Sequence, residues 1–354
     1  MLPDLSLDDI AEALTAFDAS CAREEWIKVG TAIKAEFGDD GFSVWDNWSA
    51  SGGNYDARET KTAWKSLRGG KVGLGWLIKV AKARGHVFRR AELSREERAA
   101  RRKAQEQRRA ELEQQAIADE AELAAWQQRV AEACCALDRD HLADSGKSEY
   151  LQRKKVGAYG VRFVQHGVVL LTHITEQRIE LISGKDAITR FFERRSAGEV
   201  DPETTSFRYL KYGTIAVPMR DVHGALWGFQ FINAQGGKHF LKFGRKQGLM
   251  HLLISSTSIE AEKINTPIAV AEGYATAASV HQATGWRVAV AFDCGNLGAV
   301  CAALRAQAPG AQLVVCGDDD HANPDNPGRA KGMAAAAAVN GVCLLPQFAA
   351  PVPV

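Results

Sequence analysis

The sequence predicts an α/β protein. A parallel sheet flanked by helices is expected at the C-terminal end, preceded by a β-rich α+β region and a small N-terminal helical module. Three observations carry that prediction. From residue 267 onward the continuous apolar runs "PIAVAE", "WRVAVAFD", "QLVVCG" and "GVCLLP" alternate with helix-like segments, the pattern of parallel strands covered on both faces. Residues 166–253 read as short apolar runs broken by turns. Residues 1–88 carry apolar side chains at helical spacing.

The N-terminal module opens on "SLDDIAEALTAF", where Ser6 is placed to cap a helix. The next helix, in "REEWIKVGTAIKAEFG", sets Trp26, Val29, Ile33 and Phe37 on one stripe. Trp45, Trp48 and Trp64 are expected in the module's core, with a base-stacking platform as the alternative. Residues 89–130 contain no Gly or Pro and interleave Glu with Arg. They predict a long exposed helix acting as a linker, with contact to DNA phosphates as the sharper alternative. The chain is therefore divided into a helical module at 1–88, a charged helical linker at 89–130, a basic α+β subdomain at 131–266 and a C-terminal α/β domain at 267–354.

The "GKS" at residues 146–148 is not a P-loop. That pattern needs Gly at position 141, which is His, and no strand leads into it. The β-rich stretch that follows turns at 221–224 and 233–237 and gathers Arg208, Lys211, Arg220, Lys238, Lys242, Arg245 and Lys246. These are exposed positions of a β-meander, or they line a nucleotide or template groove.

The C-terminal domain places acids where an open α/β sheet places its chemistry, beyond the carboxyl ends of strands. Glu272 ends the first strand and Gly273 allows a tight turn beside it. Asp318, Asp319 and Asp320 end another strand. Side chains alternate along extended backbone, so Asp318 and Asp320 share a direction and Asp319 points elsewhere. Glu272, Asp318 and Asp320 form an all-oxygen set suited to Mg²⁺ or Mn²⁺ rather than zinc. Asp293 is a strand-end cap or a further ligand. His321 is a loop residue or a phosphate contact, and Cys316 and Cys343 are expected as small core residues.

"AVAEGYATAASV", then "AFDCGNL", then "VVCGDDDHANPDNPGRAKGMAAA" resembles a Toprim domain, and more narrowly that of primases carried by plasmids, satellite phages and integrated elements. "YLQRKKV" with "VPMRDVHGALWGFQFINAQGGKHFLKFGRKQG" is similar to the β-rich part that precedes Toprim in those primases. "REEWIKVGTAIKAEFGDDGFSVWDNWSASGGNYDARETKTAWKSL" resembles the module called primase C-terminal domain 2. The resemblance implies a Toprim-like fold and RNA primer synthesis on single-stranded DNA from nucleoside triphosphates, with a replicative helicase supplied in trans. It puts Glu272 at the family's acid/base or metal glutamate, and Asp318 and Asp320 at its metal-binding DxD. Lys238, Lys242, Arg245, Arg220, Asn296 and Gly273 fall at nucleotide or template positions. "LLPQFAAPVPV" carries none of the further acids expected after such a strand, which leaves a second metal position to Asp293 or Asp325. A Toprim nuclease and a non-catalytic DNA-binding replication protein are the competing readings.

Bulk properties narrow the field. Hydrophobic residues make up 46% and charged residues 25%, ordinary for a chain with a real core. A formal net charge of +1 excludes a polybasic binder, so any nucleic-acid surface is local. The seven cysteines form no CxxC pair, against a zinc ribbon or disulfide scaffold and in keeping with a reducing cytoplasm. No apolar run reaches the ~20 residues that span a bilayer, and the acidic N-terminus is unlike a signal peptide.

Overall fold

The computed structural model describes residues 5–67, 72–88, 95–254, 266–319 and 326–346. They divide into two units, Met1–Ile117 and Ala118–Val354.

The first unit is helical. Ser6 caps α1 (Leu7–Leu14) in a reciprocal box: its hydroxyl accepts from the Asp9 backbone N–H, while the Asp9 carboxylate accepts from the Ser6 N–H at 2.6 Å. Then come α2 (Arg23–Phe37), α3 (Phe42–Ala50), α4 (Ala57–Ser66, capped by Asp56) and α5 (Leu74–Ala83). Ile10, Val29, Ile33, Trp45 and Leu77 are fully buried in one core. Trp45, Trp48 and Trp64 belong to it, and their indole N–H groups are spent on the Trp26 carbonyl, the Phe17 carbonyl and the Asp39 carboxylate. Buried rings with committed donors exclude the base-stacking alternative.

From residue 95 the charged stretch is part of one helix, α6 (Arg95–His141), which runs beyond the expected end of the linker. Residues 111–124 are exposed, as interleaved charge requires. From Trp126 the helix changes character: Trp126, Val130, Cys134 and Leu137 recur at helical spacing and are buried in the second unit.

The second unit continues with β1 (Leu142–Ala143), α7 (Glu149–Lys154), β2 (Arg162–Val164), β3 (Val168–His173), β4 (Arg178–Ser183), α8 (Lys185–Ser196), β5 (Thr205–Leu210), β6 (Ile215–Arg220), β7 (Leu226–Ile232), β8 (Lys238–His239) and β9 (His251–Leu253). The α/β rhythm then supplies β10 (Ile268–Ala271), α9 (Tyr274–Thr284), β11 (Arg287–Val290), α10 (Leu297–Gln307), β12 (Leu313–Cys316), α11 (Pro327–Ala338) and β13 (Val342–Leu344).

These strands form three sheets. The first, β1-β2-β6-β7-β8, and the second, β4-β3-β5, are antiparallel. The third runs β13-β12-β10-β11-β9, with parallel pairing among β13, β12, β10 and β11. The expected parallel sheet is therefore present. It gains an antiparallel edge strand, β9, from the end of the β-rich stretch.

Strand alternation explains the layering. On one face of the first sheet Ile215, Val217, Met219 and Ile232 pack against Ala269, Ala271, Val288 and Val290 of the third. On the other face Ala216, Phe229 and Phe231 pack against Val168, Leu170 and Leu210 of the second sheet and against α6. Cys316 and Cys343 pack at the margins of the cores beside the third sheet, as expected of small apolar side chains.

Candidate active site

The site begins at the end of β10. Ala271 is in register with Val290 of β11 on one side and Cys316 of β12 on the other. Glu272 follows Ala271 directly, and Asp318 follows Cys316 by two residues. Both carboxylates thus lie beyond the carboxyl ends of adjacent parallel strands. In β10 Ala269, Val270 and Ala271 are fully buried and Ile268 is 4% exposed, so the chain leaves the core at an acid followed by a turn. Gly273 is the backbone cap of α9, and Lys238 Nζ stands 3.3 Å from where a Gly273 Cβ would be. The lysine of β8 is therefore beside the acid-bearing turn.

Asp319 turns to α11: its Oδ1 accepts a 2.5 Å hydrogen bond from the Asn326 amide, and Asn326 caps α11. Helix α11 approaches β12 closely because two glycines face each other there. A Cβ on Gly332 would stand 3.4 Å from the Gly317 Cα, and one on Gly317 would stand 2.9 Å from Leu345 Cδ2. That approach draws the α11 cap to the end of β12. Asp320, His321 and Asp325 lie outside the described residues.

Two expected site residues have structural partners. Asn296 is 3% exposed, and its amide makes three backbone hydrogen bonds: Nδ2 donates to the Leu249 and Ala291 carbonyls at 2.9 Å each, and Oδ1 accepts from Gly248 N–H at 2.8 Å. It ties the segment before β9 to the end of β11 and spends both of its donors there. Asp293 caps the short turn Cys294–Asn296, accepting from Asn296 N–H, and forms an ion pair with Lys246. It is a cap with a cationic partner.

The other basic residues are held by aromatic rings in the loop after β8. Lys242 sits 4.9 Å from the Phe243 ring centre, Arg245 4.7 Å from that of Trp227 and Lys246 5.3 Å from that of Phe240. Arg220 donates to the Gly224 carbonyl at 2.8 Å and closes the 221–224 turn.

Sequence reasoning missed three residues. Tyr274, fully buried, accepts from Tyr159 N–H and donates to the Gly157 carbonyl, both at 2.8 Å. Burial holds its phenol protonated, well above the usual tyrosine range. His251 donates from Nε2 to the Tyr159 carbonyl at 2.7 Å, and burial brings its pKa down to about 4. Together they clamp loop 157–160 against the third sheet. Gln230 is fully buried, and neither its Oε1 nor its Nε2 has a partner among the described residues. It shares a sheet face with Ile232, whose register partner is Lys238. A signal for Gln230 was present: it is the one polar residue inside "WGFQFI".

Among the described residues no group of three or more His, Cys, Asp or Glu converges to hold a metal ion. The two strand-end carboxylates still fit Mg²⁺ or Mn²⁺. Those ions take oxygen donors and are commonly held by one or two carboxylates, with waters and substrate phosphates completing the shell.

Comparison with known proteins gives matches at both ends of the chain. Residues 10–81 match the family "Primase C terminal 2 (PriCT-2)" and residues 267–347 match "Toprim domain". Two proteins named DNA primase TraC from Escherichia coli are 40% and 39% identical over 137 residues. Those residues are 38% of this chain but only 13% and 9% of the two relatives. A crystal structure of a DNA primase domain from Pseudomonas aeruginosa aligns over 62% of this chain and 69% of its own, at 17% identity and a TM-score of 0.35. With residues 267–347 matching the Toprim domain and residues 10–81 the primase C-terminal 2 module, the chain is similar to the Toprim DNA primases of the plasmid type.

Proposed function

We propose that the protein is a DNA primase that makes short RNA primers on single-stranded DNA by metal-dependent nucleotidyl transfer, in the replication of a plasmid, phage or integrated element. The observation that carries this reading is the pair Glu272 and Asp318 beyond adjacent parallel strands of a Toprim domain, with Lys238 of the preceding β-rich sheet at the same turn. Glu272, Asp318 and Asp320 would hold Mg²⁺ or Mn²⁺. When bound, the ion would neutralise triphosphate charge and favour attack by a primer 3′-hydroxyl. Lys238 adds a fixed positive charge beside Glu272, suited to an incoming triphosphate. Lys242 and Arg245 offset strand phosphates, so binding of single-stranded DNA weakens with salt. Arg220 and Gly273 act by shape, one closing the adjacent turn and the other leaving room for Lys238. A replicative helicase would act in trans. The division at residues 88, 130 and 266 belongs to this proposal.

The test is incubation with single-stranded DNA, labelled ribonucleoside triphosphates and Mg²⁺ or Mn²⁺. New labelled oligonucleotides support the proposal. Shortening of the DNA without synthesis would assign a nuclease instead.

A further inference from the structure

Arg208 stands out in the second unit. It lies on β5 directly opposite Leu170 of β3, so the two side chains leave the same face of the second sheet. Leu170 is fully buried in the layer between the first and second sheets, together with Phe231 of β7. His239 of β8 lies opposite Phe231, so its ring leaves the first sheet toward that same layer. β5 and β8 are edge strands of their respective sheets. The pKa of His239 is lowered by burial and by the charge of Arg208, which agrees with their proximity.

The Arg208 guanidinium forms no ion pair among the described residues, and its Nε is buried with no hydrogen-bond partner. A partly buried charge without a counter-charge is costly. The planar guanidinium fork matches the oxygens of a phosphate. β8 also turns Lys238 the other way, toward Gly273. A phosphorylated ligand crossing the β8 edge would meet a cation on each side of the sheet.

We infer that Arg208 and His239 form a phosphate-binding subsite at the β8 edge, distinct from the carboxylate edge, for a backbone phosphate of single-stranded DNA or the phosphate tail of a nucleotide. The primase reading bears only on which molecule carries the phosphate.

The test uses the full chain without divalent metal. Affinities for labelled oligothymidylate and for a fluorescent ATP analogue are measured for wild type, Arg208→Gln, Arg208→Lys and His239→Gln, with melting temperatures alongside. Arg208→Gln weakens at least one ligand by about tenfold or more, Arg208→Lys recovers part of the loss, and His239→Gln gives a smaller loss. For oligothymidylate the slope of log affinity against log salt falls by about one in Arg208→Gln. The ligand-free Arg208→Gln protein melts at or above wild type, because an unpartnered charge has been removed. A loss confined to oligothymidylate identifies a strand-backbone subsite, and one confined to the ATP analogue a nucleotide subsite. Unchanged affinity for both ligands, or Arg208→Gln melting well below wild type, overturns the inference. Neither readout involves synthesis, so failure to make primers leaves this result standing.

Discussion

Asp318 and Asp319 are adjacent, and the proposed site gives them different tasks. Asp319 is bound to the α11 cap, whereas Asp318 stands past β12 beside the end of β10. Asp318→Ala should lower nucleotide incorporation by about a hundredfold or more, the scale seen when a charge-stabilising group is removed. Asp319→Ala should keep activity within roughly tenfold and cost about 1 kcal/mol of stability through the weakened cap. Greater sensitivity at Asp319 would show that the register of this loop is wrong. Gln230 has two buried polar atoms with no partner among the described residues. Gln230→Met keeps the shape and removes both, so denaturant melts should show a gain of about 1 kcal/mol or more; a loss would mean that the amide serves the fold. At this scale the sequence displayed Glu272 and Asp318, because an acid ending an apolar run marks a strand's exit. It could not display the role of Asn296. A polar residue after a strand looks the same whether its amide turns to a ligand or, as here, to three backbone groups.

The elements were legible where their periodicity was uninterrupted. The strands β10–β13 follow the apolar runs closely, and their parallel order follows from the helices between them. β9 was not legible as an edge of that sheet, since three residues carry no signal for which sheet they will join. The end of α6 was obscured because the charge pattern stops before the helix does, and its last turns are held by burial. The 157–160 loop depends on side chains from two later elements, beyond the reach of any local pattern. That loop gives a pH signature. His251 has a folded pKa of about 4 against an ordinary 6.5. Its stabilising effect is complete above 6.5 and disappears as pH falls toward 4, because the unfolded chain takes up the proton first. The loss is on the order of 3 kcal/mol. Chemical unfolding of wild type and His251→Gln at several pH values should show a shallower fall for the variant across that window. Parallel curves would contradict the assignment.

At the scale of the molecule, each unit carries its own hydrophobic core. Gly30 offers a selective perturbation. A Cβ there would stand 2.7 Å from Trp45 Cε2, and Trp45 is fully buried between Trp26 and Trp64, with ring centres at 4.4 and 5.3 Å. The ring cannot yield, so Gly30→Ala should destabilise the first unit by about 1–3 kcal/mol. Calorimetry should show one transition lowered and the other unmoved; a common shift would contradict two independent cores.

The most direct test of the central claim, that the carboxylate edge of the Toprim sheet performs metal-dependent synthesis, is ribonucleotide incorporation on single-stranded DNA by wild type and Glu272→Gln, with the melting temperature of each. The account predicts labelled oligonucleotides from wild type alone, with the two proteins melting together. Equal synthesis by both proteins would contradict it, as would loss of synthesis that merely accompanies loss of the fold.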